Sequence, residues 1–218
     1  MKKAAFLTLL AAAAAPVLLA AAQDRPTPDQ VLYHPKLEVV LPDFAAEGLI
    51  LDIGGGGEGV IGRAKGPQVV AIDLSKQELI DAPGQPLLKI VMDARDLKFL
   101  DGAFATATVF FTFMYINPAD HAKVLAEIHR VLRPGGRALV WDPVFPKKTS
   151  PNQVYVLFPL HVKLPSGKDV NTGYGVKLAE REGRGAAELL EPAKAAGFEV
   201  LQQKDDKGWY FVELKKNG

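Results

Sequence analysis

Leu49-Ile50-Leu51-Asp52-Ile53-Gly54-Gly55-Gly56-Gly57-Glu58-Gly59 is the stretch that decides the fold. Its first five residues are a buried strand by length and branching, and the strand runs straight into four glycines. The cadence of apolar run, loop and helix then repeats. Gln68–Asp73 is the next strand, with Ser75 as the N-cap of a helix through Ile80. Leu87–Met92 is a third strand, ending at Asp93, and Ala105–Phe113 a fourth. Pro118–Leu132 has helical spacing (Val124, Leu125, Ile128, Val131, Leu132) and stops at Arg133-Pro134-Gly135-Gly136. Arg137–Trp141 is a fifth strand, ending at Asp142. Such alternation predicts right-handed crossovers, a parallel sheet, and ligands at the carboxyl ends of the strands.

The cadence breaks on either side of this run. Thr27–Gly48 is a proline-punctuated lead-in with one short helix predicted around Lys36–Ala46. Pro143–Val176 holds Gln153–Leu164, rich in β-formers, the turn Pro165–Lys168 and the segment Asn171–Gly175, which together predict an inserted β-hairpin. A helix near Gly185–Ala196 precedes the strands Phe198–Gln203 and Trp209–Leu214. Only a turn at Asp205–Gly208 separates those two strands, so they pair antiparallel. The expected fold class is α/β: a doubly wound, mostly parallel seven-stranded sheet with an antiparallel C-terminal hairpin and a small inserted hairpin.

At 218 residues, 48% hydrophobic and 23% charged, the composition is that of a globular domain and not of a collagen-like or disordered chain. Twenty-six basic residues balance 25 acidic ones, so there is no broad basic footprint and no nucleic-acid partner is expected. The absence of cysteine excludes disulfides, thiolate zinc sites, iron–sulfur clusters and a cysteine nucleophile, and no metal site is expected.

Met1-Lys2-Lys3 is a short positive start to an apolar, alanine-rich stretch from Ala4 to Ala22 that ends Ala20-Ala21-Ala22 before Gln23. That is the pattern of a secretory signal peptide, with a small-residue cleavage site after Ala22. The competing reading is an uncleaved anchor, since 19 residues can just span a bilayer. Residues 1–22 are therefore read as the export signal and 23–218 as the functional domain, with 143–176 as a lid. Export to the periplasm or medium is expected, without stable membrane association after cleavage. An uncleaved signal would leave the protein membrane-anchored, and a non-functional one would leave it cytoplasmic.

The glycine loop admits two readings. Gly54, Gly56 and Gly59 satisfy G-x-G-x-x-G, and Asp73 follows 19 residues after Gly54, as in a dinucleotide fingerprint. Alternatively, an acid set immediately before the glycines serves a ligand carrying an ammonium or sulfonium, where a pyrophosphate would be repelled. Acids close several strands, namely Asp52, Asp73, Asp93 and Asp142, and a lone one of these would be only a loop-solvating residue.

From Leu49 to Leu214 the chain resembles the class I S-adenosylmethionine-dependent methyltransferases, which have a Rossmann-like fold. The matching stretches, in order, are LILDIGGGGEG, VVAIDLS, IVMDARDLKF and VLRPGGRALVWD. The resemblance implies S-adenosyl-L-methionine as cofactor. It implies that Asp52 organises the methionine end of the cofactor and that Gly54, Gly55 and Gly56 pass beneath it. Asp73 would hold the ribose diol with Leu74 against the adenine, Asp93 would meet the adenine amine with the Ala94 amide beside it, and Phe111 would line the floor near the sulfonium. Glu58 stands where the family usually has its third glycine, with Gly59 one step later, which leaves the role of Glu58 open.

Methyl transfer is an in-line displacement that depends mostly on positioning, and a general base is needed only for a protonated acceptor. Candidates for that role are His121, His161, Asp142 and Tyr115, with Asn117 beside them; His34 and His129 have less to recommend them. Tyr155, Phe158 and Tyr174 are candidates to wall an acceptor pocket, or simply packing. The sequence after strand four, Phe111-Thr112-Phe113-Met114-Tyr115, is not that of an amino-group DNA methyltransferase, and a small-molecule acceptor is expected. Export sits awkwardly with a cofactor made in the cytoplasm. An exported non-catalytic binding protein on the same fold, or an NAD(P)-binding oxidoreductase, are the alternatives.

Overall fold

The computed structural model describes residues 26–178 and 181–218. The signal-peptide expectation for residues 1–22 lies outside the described residues. In chain order the elements are β1 (Val31–Tyr33), β2 (Leu37–Val40), β3 (Ile50–Ile53), α1 (Val60–Lys65), β4 (Val69–Asp73), α2 (Lys76–Asp81), β5 (Leu88–Val91) and β6 (Phe104–Phe110). There follow α3 (His121–Val131), β7 (Leu132–Pro143), β8 (Tyr155–Lys163), β9 (Asp169–Lys177), α4 (Ala187–Ala195), β10 (Phe198–Asp206) and β11 (Trp209–Lys216). They divide into two compact units, residues 43–144 with 184–218, and the residues up to 42 with 145–183.

The larger unit holds a seven-stranded sheet in the order β10-β11-β7-β6-β3-β4-β5. The strands from β7 to β5 run parallel, β11 pairs antiparallel with β7, and β10 pairs antiparallel with β11. This is the Rossmann-like sheet expected from the alternating cadence. Apolar side chains of β3, β4, β6 and β7 (Leu51, Ile53, Val70, Ile72, Val109, Val140) form one core with the stripe Val124, Leu125, Ile128 and Val131 of α3. Each such side chain contributes about 1.5–3 kcal/mol by leaving water, which is why the spacing of α3 was readable in advance.

Three details stand out in this unit. β5 is an edge strand, and Leu88 and Val91 stay more than half exposed on it. No helix connects β5 to β6. Residues 92–103 instead lie pinned on α3: Arg130 donates to the carbonyls of Leu97 at 2.8 Å and Phe99 at 2.9 Å, and Glu127 accepts from the Leu97 N–H at 2.8 Å. Strand β6 also ends earlier than expected, at Phe110, because the backbone turns at Phe111 (φ +50°) into a short 3-10 turn over Phe113–Tyr115.

The smaller unit is a four-stranded sheet around β8. Strand β9 pairs antiparallel along all of β8, which is the inserted hairpin read from the sequence. On the opposite edge β1 runs parallel to Tyr155–Leu157, and β2 runs parallel to Leu160–Lys163. The helix expected around Lys36–Ala46 is corrected to strand β2. Leu37 and Val39 are 1% exposed while Glu38 and Val40 face out, a period of two that only a strand satisfies. Among the described residues no helix is long and apolar enough to cross a membrane.

Candidate functional site

The glycine loop leaves the carboxyl end of β3 between the ends of β4 and β6, its two sheet neighbours. The N–H groups of Gly54 and Gly55 both donate to the Ile72 carbonyl of β4 at 2.9 Å, which ties the loop to that strand. Gly54 sits at φ +72°, in the left-handed region that favours glycine, and a Cβ there would fall inside the Thr112 side chain. A Cβ on Gly55 would lie 2.6 Å from Asp52 Oδ2, so the loop backbone runs directly across that carboxyl.

Asp52 is 2% exposed, and Thr108 of β6 donates to its Oδ1 at 2.8 Å. Burial pushes its pKa up to about 7, the Thr108 hydrogen bond opposes the rise, and the Asp73 charge adds to it. Asp73 accepts the Ser75 N–H at Oδ1 (2.8 Å), and its pKa is also raised by burial, against hydrogen bonds from the Ser75, Gly56 and Leu74 amides. Ser75 caps α2 as expected, accepting the Glu78 N–H at 3.2 Å. Leu74, beside Asp73, is 64% exposed.

Glu78 is among the residues that sequence reasoning missed. Glu78 packs its Cβ against Gly56 and sets its carboxylate beside Gly57, where a Cβ would lie 3.2 Å from Oε2. Its pKa is raised by burial and then by the Asp73, Glu58 and Asp81 charges. Ser75-x-x-Glu78 has the spacing of a capping box, a purely structural signal that conceals the role of Glu78 at the loop. Glu58, whose role the sequence left open, belongs to the same acidic surround. The charges acting on Asp52 and Glu78 are those of other carboxylates.

The remaining expected residues separate. Asp93 follows β5, but Arg95 grips its carboxylate, with Nε 3.0 Å from each oxygen, Nη2 2.7 Å from Oδ2 and the Arg95 N–H 2.8 Å from Oδ1. That ion pair holds Asp93 below the usual carboxylate range, and Arg95 Nη1 reaches on to Asp120 at 3.0 Å. Ala94 lies half-buried in the same turn. Phe111 is buried, its ring tilted at 49° against Phe110 with centroids 4.9 Å apart, and its N–H donates to the Trp141 carbonyl at 2.7 Å.

Of the base candidates, Asp142 is buried at the end of β7. Tyr115 is 40% exposed as a residue, yet its phenol is desolvated; that desolvation, with the Glu58, Glu78 and Asp142 charges, pushes its pKa well above the normal tyrosine value. Burial thus favours the protonated phenol of Tyr115. The His121 ring lies edge-on to Phe113 (4.9 Å), with Nε2 3.3 Å from the Ile116 carbonyl, and the Asn117 side chain caps the following turn by accepting the Ala119 N–H at 3.0 Å. His129 packs edge-on against Phe198. Four residues belong to the smaller unit. There His161 bridges Glu38 and Asp169, Phe158 is fully buried among Phe145 and His34, and Tyr155 and Tyr174 are half-buried on β8 and β9. Phe158 is core.

Residues 51–140 match the family described as Methyltransferase domain. Among curated proteins, the chain is 38% identical over 102 residues to the demethylmenaquinone methyltransferase of Thermus thermophilus, covering 47% of this chain and 44% of that one. It is 31% identical over 147 residues to the demethylmenaquinone methyltransferase of Mycolicibacterium vanbaalenii, covering 66% and 64%. The chain spans from about a third to just under two thirds of the first such relatives. Among solved structures, an S-adenosylmethionine-dependent methyltransferase from Methanosarcina mazei superposes with a TM-score of 0.55 at 19% identity, over 80% of this chain and 94% of that one. Another, from Mesorhizobium loti, gives 0.56 at 16%, over 79% and 94%. Residues 51–140 thus match a methyltransferase domain, and the chain shares the Rossmann-like fold of solved S-adenosylmethionine-dependent methyltransferases.

Proposed function

We propose that this chain is an enzyme that binds S-adenosyl-L-methionine on the glycine loop and transfers its methyl group to a small-molecule acceptor. The observation that carries this reading is Asp52, a carboxyl group buried directly behind the loop in the field of the Asp73 carboxylate. A site with that charge favours a ligand bearing an ammonium and a sulfonium and repels a pyrophosphate, which sets aside a nicotinamide dinucleotide. The residues present fit the cofactor. Asp52 would face its cationic methionine end, Asp73 would accept from the ribose hydroxyls with its carboxylate already oriented by backbone amides, and Leu74 would cover the adenine.

When bound, the sulfonium supplies an activated methyl group, so the chain has only to bind, orient and exclude water. Tyr115, held protonated, can donate to an acceptor oxygen. The names of the relatives make demethylmenaquinone the first acceptor to try. The alanine-rich N-terminus supports export with cleavage after Ala22, and N-terminal sequencing of periplasmic protein should then begin at Gln23.

The deciding experiment is calorimetric titration of the purified protein with S-adenosylmethionine and with S-adenosylhomocysteine. Micromolar binding is expected. Affinity for the cationic ligand should fall as pH drops through 7, because Asp52 must be ionised to meet it. A folded protein that binds neither would overturn the proposal.

A further inference from the structure

Two threonines, one in β6 and one just after it, tie this edge to strand β3 and to the start of the glycine loop. Thr108 is fully buried in the strand. Its single hydroxyl proton has the Asp52 Oδ1 at 2.8 Å and the Leu51 carbonyl at 3.5 Å, so the carboxyl takes it. Thr112 lies past the end of the strand. Its Oγ1 is 3.2 Å from the Ile53 carbonyl and 3.1 Å from the Phe110 carbonyl, and its Cγ2 is 2.5 Å from where a Gly54 Cβ would stand. Thr112 therefore fills the space that the missing side chain of Gly54 leaves.

What turns Thr112 toward the loop is the residue before it. Phe111 is the one non-glycine residue with positive φ among the described residues, and the Trp141 carbonyl holds its N–H at 2.7 Å. A bulky residue in the left-handed region is strained, and such strain persists only where surrounding contacts over-determine it, characteristically beside functional sites. Here the strain places one hydroxyl and one methyl group against a loop whose opposite side is fixed by the Ile72 carbonyl.

We propose that Thr108 and Thr112 are positioning residues for the cofactor: Thr108 orients the Asp52 carboxyl, and Thr112 sets the distance between the glycine loop and strand β6. This rests on the cofactor reading above. The two residues act through different groups, so their loss should read differently. Thr108 supports the ionised form of Asp52 and should matter most for the cationic ligand. Thr112 supports the loop backbone and should matter equally for both ligands.

The test uses the full chain with Thr108→Val, Thr112→Val and the corresponding serine variants, following calorimetric affinity and thermal midpoint from pH 6 to 9. Thr108→Val should lose at least tenfold affinity for S-adenosylmethionine at pH 7 and less for S-adenosylhomocysteine, with the pH dependence displaced upward and affinity recovering toward pH 9. Thr112→Val should lose at least tenfold for both ligands at every pH. The serine variants should bind within about threefold of the parent. Should a valine variant fail to fold, alanine at the same position adds no atom and carries the same expectation. Valine variants that bind like the parent with an unshifted pH profile would overturn the inference, as would serine variants that fail as badly as valine. A parent protein that binds neither ligand would instead overturn the cofactor reading on which the inference rests.

Discussion

Asp52 and His161 are the ionisable centres of the two sheets, and their surroundings are opposite in kind. Asp52 is enclosed by β3, β4 and β6, meets one neutral hydroxyl and the field of Asp73, and is driven toward its uncharged form. His161 lies between Glu38 Oε2 at 2.5 Å and Asp169 Oδ2 at 3.2 Å, with Lys36 3.1 Å from Glu38, and is driven toward its charged form. A centre whose counter-charge comes from its own chain serves the sheet that holds it. One left without a counter-charge from the chain suits the cationic ligand proposed above. On the proposed reading, that contrast suits His161 to a structural role and Asp52 to a ligand-facing one.

The sharpest way to break the comparison is Asp52→Asn. With a folded pKa near 7 against an ordinary 3.8, the folded state keeps a proton that the unfolded chain has released, and stability is lost as pH rises through that window. Asparagine keeps an acceptor for Thr108 without the charge. At pH 8 the variant should therefore be more stable, by up to about 4 kcal/mol, while S-adenosylmethionine binding falls at least a hundredfold. Denaturant unfolding and calorimetry on one preparation check both halves, and a less stable variant would show that Asp52 is internally compensated after all.

Asp73→Ala should cost less, about 1.5–3 kcal/mol of cofactor binding, because it removes hydrogen bonds to the ligand and leaves the buried charge of Asp52 in place. An unchanged dissociation constant would move the ribose elsewhere. The smallest effect is expected at His161. Its ring should titrate above 6.5 by NMR and move back toward that value in Glu38→Gln, with a smaller return in Asp169→Asn. Its raised pKa stabilises the fold below the unfolded value and the contribution fades as pH rises through the folded one. With both carboxylates exposed to solvent, the change in unfolding midpoint should be slight. A ring titrating at or below 6.5 would remove one side of the contrast.

What was legible in the sequence is what periodicity and punctuation encode. The seven strands of the larger sheet appear in the chain order read, because several runs end in clear punctuation: β3 at Gly54, β4 at Asp73, β7 at Asp142-Pro143 and β10 at the Asp205–Gly208 turn. Asp52, Asp73 and the glycines stand together for the same reason. Strand β2 was misread although Leu37-Glu38-Val39-Val40 alternates, since four residues between prolines give too little pattern to separate a strand from a helical turn. The grip of Arg95 on Asp93 depends on a turn that brings residues two apart face to face, and hydropathy carries no trace of it. Nor could spacing show that β1 and β2 complete the hairpin sheet, since their partners lie far along the chain.

That last pairing has a consequence for how the protein comes to be folded. Glu38 and His161 are 123 residues apart in sequence, yet β2 lies beside β8. Hairpin β8–β9 closes through five residues and can form within microseconds of emerging from the ribosome or translocon. β1 and β2, made first, have no edge to join until more than a hundred further residues have followed. Contacts of such high order are slow to form. The earliest of the described strands are thus among the last to find their place, and throughout that interval their backbone donors and acceptors stand open to whatever a chaperone or a neighbouring chain presents.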